Sequence, residues 1–197
     1  SMEVIESYMR LNLNEETSYL VERSEILRRL PNVMACECVT LMNDRLCLIE
    51  AKSSAPAPRN KEDFNGFIGD ISQKFTDTLL FFNALCLNRH ESKSVNESVP
   101  TVLSNNLRRD YVLYLIVHGH EEAWMAEIQD ALKLEMGHVL NAWGISDVNL
   151  KAVNHDTALR MHIIEKFFPV EELERLKKEG KSSEDLSEIA KAWLIAG

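Results

Sequence analysis

The run YVLYLIV, Tyr111 to Val117, is seven consecutive apolar residues with no polar break. Side chains alternate between the two faces of a strand, so a run apolar at both parities has to be covered on both sides. This segment is therefore expected to be a central strand of a layered α/β sheet, and the rest of the chain must supply the layers.

The flanking pattern is mixed. Residues 3–11 and 15–30 read as helices, the second with Leu20, Ile26, Leu27 and Leu30 on one side and Pro31 as its stop. Residues 33–41 and 45–52 read as two strands joined at Asn43-Asp44, a turn pair suited to a tight hairpin. The proline-containing stretch after Lys52 is a loop. A long helix is expected over 63–87, with Ile68, Ile71, Phe75, Leu79 and Phe82 along one face. The polar stretch NRHESKSVNES, 88–98, reads as a mobile loop. Helix 121–142, strand 148–154 and a short helix 156–166 follow. From Pro169 onward two charged amphipathic helices are expected, giving one domain over 1–168 and a helical C-terminal extension over 169–197.

Composition narrows the function classes. The chain has 197 residues and a net charge of −9, with its basic residues scattered instead of forming a stripe. Phosphate contacts dominate autonomous nucleic-acid binding, so this charge balance argues against tight unaided binding and leaves room for substrate delivered by a partner. No apolar run reaches the roughly 18 residues of a membrane span. The acidic, polar opening carries no secretory signal, so a cytoplasmic location and no membrane partner are expected. Cys36, Cys38, Cys47 and Cys86 lack the spacing of a disulfide framework and read as reduced thiols.

Against this ordinary background, CECVTLMNDRLCLIEAKSS stands out. Glu50 and Lys52 share a face at the end of a strand that is otherwise apolar. A hairpin turning at 43–44 brings position 37 opposite position 50, so two carboxylates face each other across adjacent strands. Like charges so placed repel. A divalent cation between them, or a neighbouring lysine, relieves the repulsion, and oxygen ligands of this kind suit Mg²⁺ or Mn²⁺.

The pattern resembles the PD-(D/E)xK nuclease superfamily, in which an acidic residue on one strand precedes a Glu-x-Lys at the end of the next. CLIEAKSS is similar to the Glu-x-Lys strand, and ACECVTL stands at the first acidic motif, with Glu37 in place of the usual Asp. The resemblance covers residues 12–120 and implies a restriction-endonuclease-like mixed β-sheet flanked by helices. It implies a catalytic set of Glu37, Glu50 and Lys52, with Gln73 on the following helix as a further member. The metal ligands it implies are Glu37, Glu50, the Ala51 carbonyl and a carboxylate from the preceding helix, Glu22, with Glu16 and Glu25 as alternatives. The implied activity is Mg²⁺- or Mn²⁺-dependent hydrolysis of a nucleic-acid phosphodiester, DNA first among the substrates, in company with partner subunits.

Other features carry ordinary readings. His118 and His120 lack a third ligand and read as incidental, and Cys36 and Cys38 as core residues sharing a face opposite Glu37. A catalytically inactive scaffold is the alternative function. The apolar faces of the tail helices, Leu173, Leu176, Leu186, Ile189, Trp193 and Leu194, then offer a docking surface for a partner or a second copy.

Overall fold

A computed structural model describes residues 2–90 and 97–196. Among these, eight strands form two sheets. Ile5–Glu6 (β1), Met9–Leu11 (β2) and Ile164–Phe167 (β8) make a small antiparallel sheet in the order β1-β2-β8. Ser18–Tyr19 (β3), Cys38–Met42 (β4), Arg45–Lys52 (β5), Tyr111–Val117 (β6) and Leu150–Asn154 (β7) lie side by side in that order. This larger sheet is mixed: β3, β4 and β5 pair antiparallel, and β5, β6 and β7 pair parallel. The chain is thus α/β, with β6 central as its composition requires.

The β4–β5 hairpin forms for the expected reason. Asn43 and Asp44 both adopt left-handed conformations, φ 50° and 59°, the geometry of a tight turn whose twist matches its strands. Pairing runs from Met42↔Arg45 to Cys38↔Ile49, and the next amide, Glu37 N, donates to Ile49 O at 2.9 Å. Glu37 therefore stands opposite Glu50, just before the strand begins.

The helices are Glu25–Arg28 (α1), Lys61–Cys86 (α2), Thr101–Ser104 (α3), Glu122–Glu135 (α4), Gly137–Trp143 (α5), His155–Arg160 (α6), Val170–Lys178 (α7) and Ser183–Ile195 (α8). Strand parity divides the core. Leu46, Leu48, Leu113, Leu115 and Val117 meet Ile71, Phe75 and Leu79 of α2 and Met125, Ile128 and Leu132 of α4. Ile49, Ala51 and Ile116 face the other way, against Met9, Leu11, Leu13 and Ile164 of the small sheet and Ala158 of α6. Glu50 and Lys52 have the parity of Leu46 and Leu48, so they look toward α2.

Several local expectations are corrected. Residues 3–11 form a hairpin instead of a helix. Ser7 and Tyr8 turn it with φ of 52° and 66°, and the fully buried Met9 and Leu11 alternate with Arg10, a period of two. Residues 15–30 are broken by side-chain caps. Asn14 holds a 3-10 turn at Glu15–Thr17, β3 follows, a second 3-10 turn spans Val21–Arg23, and Ser24 caps α1. The helix expected over 156–166 stops at Arg160. His162, at φ 59°, redirects the chain into β8. Helix 121–142 is divided at Met136 into α4 and α5. Cys36 packs on the α2 side and Cys38 on the small-sheet side, so they do not share a face. All four thiols are free. The loop read at 88–98 falls largely on residues 91–96, outside the described residues.

The last two helices begin where expected. Leu173 and Leu176 of α7 pack with Leu186 and Ala190 of α8 around Phe168, with Tyr8 against them. Arg10 Nη1 donates to Leu194 O at 3.3 Å and Lys166 Nζ to Trp193 O at 3.0 Å, tying α8 to the small sheet. Their apolar stripe is thus largely covered by the chain itself, with Trp193 and Ile195 remaining exposed. Among the described residues, no helix is long and apolar enough to cross a membrane.

Candidate functional site

Glu50 is the unusual residue of the sheet: a carboxylate with 0% exposure, between strand neighbours that belong to the core. Such a group needs a counter-charge. Lys74 of α2 supplies it, with Nζ 2.7 Å from Glu50 Oε2. Lys52 Nζ stands farther from the same oxygen, at 3.7 Å, on a side chain that is 34% exposed against 13% for Lys74. Glu50 Oε1 has no hydrogen-bond partner among the described residues.

Two further carboxylates close around this pair. Glu22, on the Val21–Arg23 turn, places Oε1 at 3.8 Å from Lys74 Nζ. Glu37 is nearly buried and hydrogen-bonded to Glu22. Burial, then the Glu22 hydrogen bond, then the charge of Glu50 raise the Glu37 carboxyl well above the usual carboxylate range, so it carries a proton at neutral pH. Burial also pushes Glu50 up, and Lys74 and then Lys52 oppose that push without cancelling it. Burial on its own depresses Lys74, but the charge and hydrogen bond of Glu50, followed by Glu22 and Glu37, raise it. The cluster is a buried carboxylate clamped by the half-buried Lys74 ammonium, beside the protonated Glu37 carboxyl and Glu22.

The structure therefore brings together Glu22, Glu37, Glu50 and Lys52. Of Glu16, Glu22 and Glu25, all exposed, it is Glu22 whose carboxylate reaches Lys74, while the backbone amide of Glu25 donates to Glu97. Gln73 does not join them. It is exposed and its Nε2 reaches Asp77 Oδ2 at 3.4 Å, because it points away from the Ile71/Phe75 stripe. Lys74, one residue on, turns inward. Its signal was a cation three residues after Ile71 and four before the buried Thr78, inside the apolar face of the helix. The Ala51 carbonyl lies on the same edge of β5 as that of Ile49 and accepts from Ser7 Oγ at 3.1 Å, so the β1–β2 turn is fastened to the strand end.

Glu22, Glu50 and, on losing its proton, Glu37 offer the hard oxygen donors that Mg²⁺ and Mn²⁺ take, and Glu50 Oε1 has no partner among the described residues. The set fits those ions in kind. In this arrangement the space between the acids is filled by the Lys74 ammonium and the Glu22–Glu37 hydrogen bond. Among the described residues, no group of three His, Cys, Asp or Glu side chains converges on a metal.

A cavity of about 430 Å³ opens beside the cluster, between the β1–β2 turn and α8, lined by Glu6, Ser7, Arg23, Ser53 and Lys191 among others. Its lining does not include Glu22, Glu37 or Glu50. Ser7 and Ser53 flank Ala51 and Lys52, which places its wall at the strand end carrying the site.

His118 and His120 form no metal pair. His118 is buried, and Nε2 is 2.6 Å from Phe168 O, so that nitrogen bears the proton and donates. Its ring lies 5.4 Å from Tyr8 and 5.3 Å from His155 in an aromatic group under the small sheet. Burial pushes its pKa down to about 4, the Phe168 hydrogen bond opposing and His155 assisting. The chain matches no protein-family model, no curated protein and no solved structure.

Proposed function

We propose that the chain is a metal-dependent phosphodiesterase of the PD-(D/E)xK type, with a restriction-endonuclease-like fold, acting on nucleic acid and on DNA first. The observation that carries the reading is the fully buried Glu50 at the end of β5, with Lys52 on its solvent side, Glu37 opposite it just before β4 and Glu22 reaching the same Lys74. Order of elements supports it too: an antiparallel hairpin carrying the acids, a long helix, then the central parallel strand.

Glu50, Glu37 and Glu22 would hold the cation. Bound there, Mg²⁺ or Mn²⁺ supplies Lewis-acid polarisation of the phosphate and acidifies a water. Lys52 is the lysine on the solvent side. Its compact ammonium meets the non-bridging oxygens of the scissile phosphate and orients the attacking water. Hydrolysis adds that water across one P–O bond, leaving a phosphate monoester and a hydroxyl. Leu48 and Leu115, on either side of Glu50 in the sheet, exclude water beneath the site and strengthen each charge contact made above it.

The test is cleavage of single- and double-stranded DNA and RNA with Mg²⁺ or Mn²⁺, comparing wild type with Glu50→Ala and Lys52→Ala. Loss in both variants is expected; equal activity in all three ends the reading. A second reading, a non-catalytic module with the same fold, is favoured by one observation: Lys74 already neutralises Glu50. Thermal unfolding separates the two. A cation at about 100 times its dissociation constant adds roughly 2.7 kcal/mol of stability, and a scaffold shows no shift at millimolar Mn²⁺.

A further inference from the structure

Lys74 stands where a metal would have to go. Its ammonium is 2.7 Å from Glu50 Oε2 and 3.8 Å from Glu22 Oε1, so one cation already bridges two of the three carboxylates. Mg²⁺ sits about 2.0–2.1 Å from its oxygen ligands, which leaves no room for ion and ammonium together between the same two oxygens. Lys52 differs. Its contact is to Glu50 at 3.7 Å, and its side chain opens to solvent.

We infer that Lys74 is a positioning residue that occupies the cation's seat in the metal-free chain and withdraws when Glu50 and Glu22 take a divalent ion. The inference rests on the metal-site reading above. It divides the work of the two lysines: Lys74 keeps Glu50 charged and aimed while the site is empty of metal, and Lys52 faces the substrate throughout. Withdrawal needs little of the fold. The side chain is a flexible four-carbon stem, and the exposed Asp70, one turn earlier on α2, is in i,i+4 reach as an alternative partner.

The consequence is competition between an internal ammonium and an external metal. Removing the ammonium strengthens metal binding, and a bulkier cation that grips Glu50 with two donors weakens it. Calorimetric titration of the full chain with MnCl₂ measures this directly, without any turnover assay. For Lys74→Met the dissociation constant is expected to fall about tenfold or more, and for Lys74→Arg to rise about tenfold or more. Gln73→Met, whose side chain reaches Asp77 outside the site, should stay near wild type, and Lys74→Met combined with Glu50→Gln should not bind. Equal affinity in wild type, Lys74→Met and Lys74→Arg, abolished by Glu50→Gln, overturns the role of Lys74 and leaves the metal site standing. No Mn²⁺ binding by any of them overturns both. If Lys74→Met fails to fold, wild type against Lys74→Arg decides alone, since unchanged affinity there is already a refutation.

Discussion

Removing Lys74 strands the carboxylate beneath it. At 2.7 Å and an effective dielectric near 20, the Glu50–Lys74 attraction is about 6 kcal/mol, which is similar to the cost of taking both ions out of water. The pair as a whole is therefore close to neutral for stability, while either partner alone is a burden. In Lys74→Met the stranded Glu50 escapes by taking up a proton. At pH 7 that costs about 3.7 kcal/mol against an ordinary glutamate, so the destabilisation should approach 4 kcal/mol, or about 8–16 °C in Tm for a chain of this size. The sign with pH follows. A carboxyl whose folded pKa is raised loses less as pH falls toward its unfolded value, so the penalty should shrink to about 1.6 kcal/mol at pH 5.5. Lys52→Met should cost under about 1 kcal/mol, its partner contact being longer and its side chain more exposed. Glu50→Met with Lys74→Met should return to within about 1 kcal/mol of wild type. Urea unfolding in EDTA at pH 7 and 5.5 measures all of these. A Lys74→Met variant as stable as wild type at pH 7, or one whose deficit does not shrink at pH 5.5, would refute the claim that a charged Glu50 depends on Lys74.

Three other outcomes are expected. His118 is buried neutral with its pKa down at about 4, so its contribution is fully present above pH 6.5 and is lost as pH falls toward 4, about 3 kcal/mol in all; a denaturation series in His118→Gln should be flatter over that window, and an unchanged slope would remove the assignment. Asp44→Gly relieves a left-handed backbone at φ 59° in a turn that favours Asn-Gly, and should raise Tm by about 2–4 °C in a scanning-calorimetry comparison. Gln73→Ala should leave cleavage and stability within error of wild type, since its side chain reaches only Asp77; a cleavage defect comparable to that of Lys52→Ala would show that the helix rotates on substrate binding.

What the sequence disclosed and what it hid follow from range. The Asn43-Asp44 turn is a local signal that also sets register, so it is enough by itself to oppose Glu37 to Glu50. The seven apolar residues of β6 likewise carry their own proof of double coverage. Met9, Leu11 and Leu13 carry a period-two signal, but the local partner β1 is two residues long and the other partner strand lies at 164–167, so the pairing leaves little local trace. Residues 15–30 have helical composition, yet Asn14 and Ser24 supply competing hydrogen bonds that divide the segment. For the site, the resemblance pointed at Gln73, and helix geometry chose Lys74. Only the rotation of α2 over β5 separates them. The buried ammonium was visible in the text as a charge within an apolar stripe, but its target became clear only once Glu50 lay beneath it.

The β2–β8 pairing has a consequence for folding. Arg10 meets Lys166, so the turn at Ser7 that grips the Ala51 carbonyl is anchored by a strand that lies more than a hundred residues later in the sequence. Contacts of such wide separation close late and slowly. A chain with its hairpin and α2 already formed still lacks that cover until β8 docks, so disrupting the β2–β8 pairing should leave the rim of the acid cluster unsecured even where the central sheet persists.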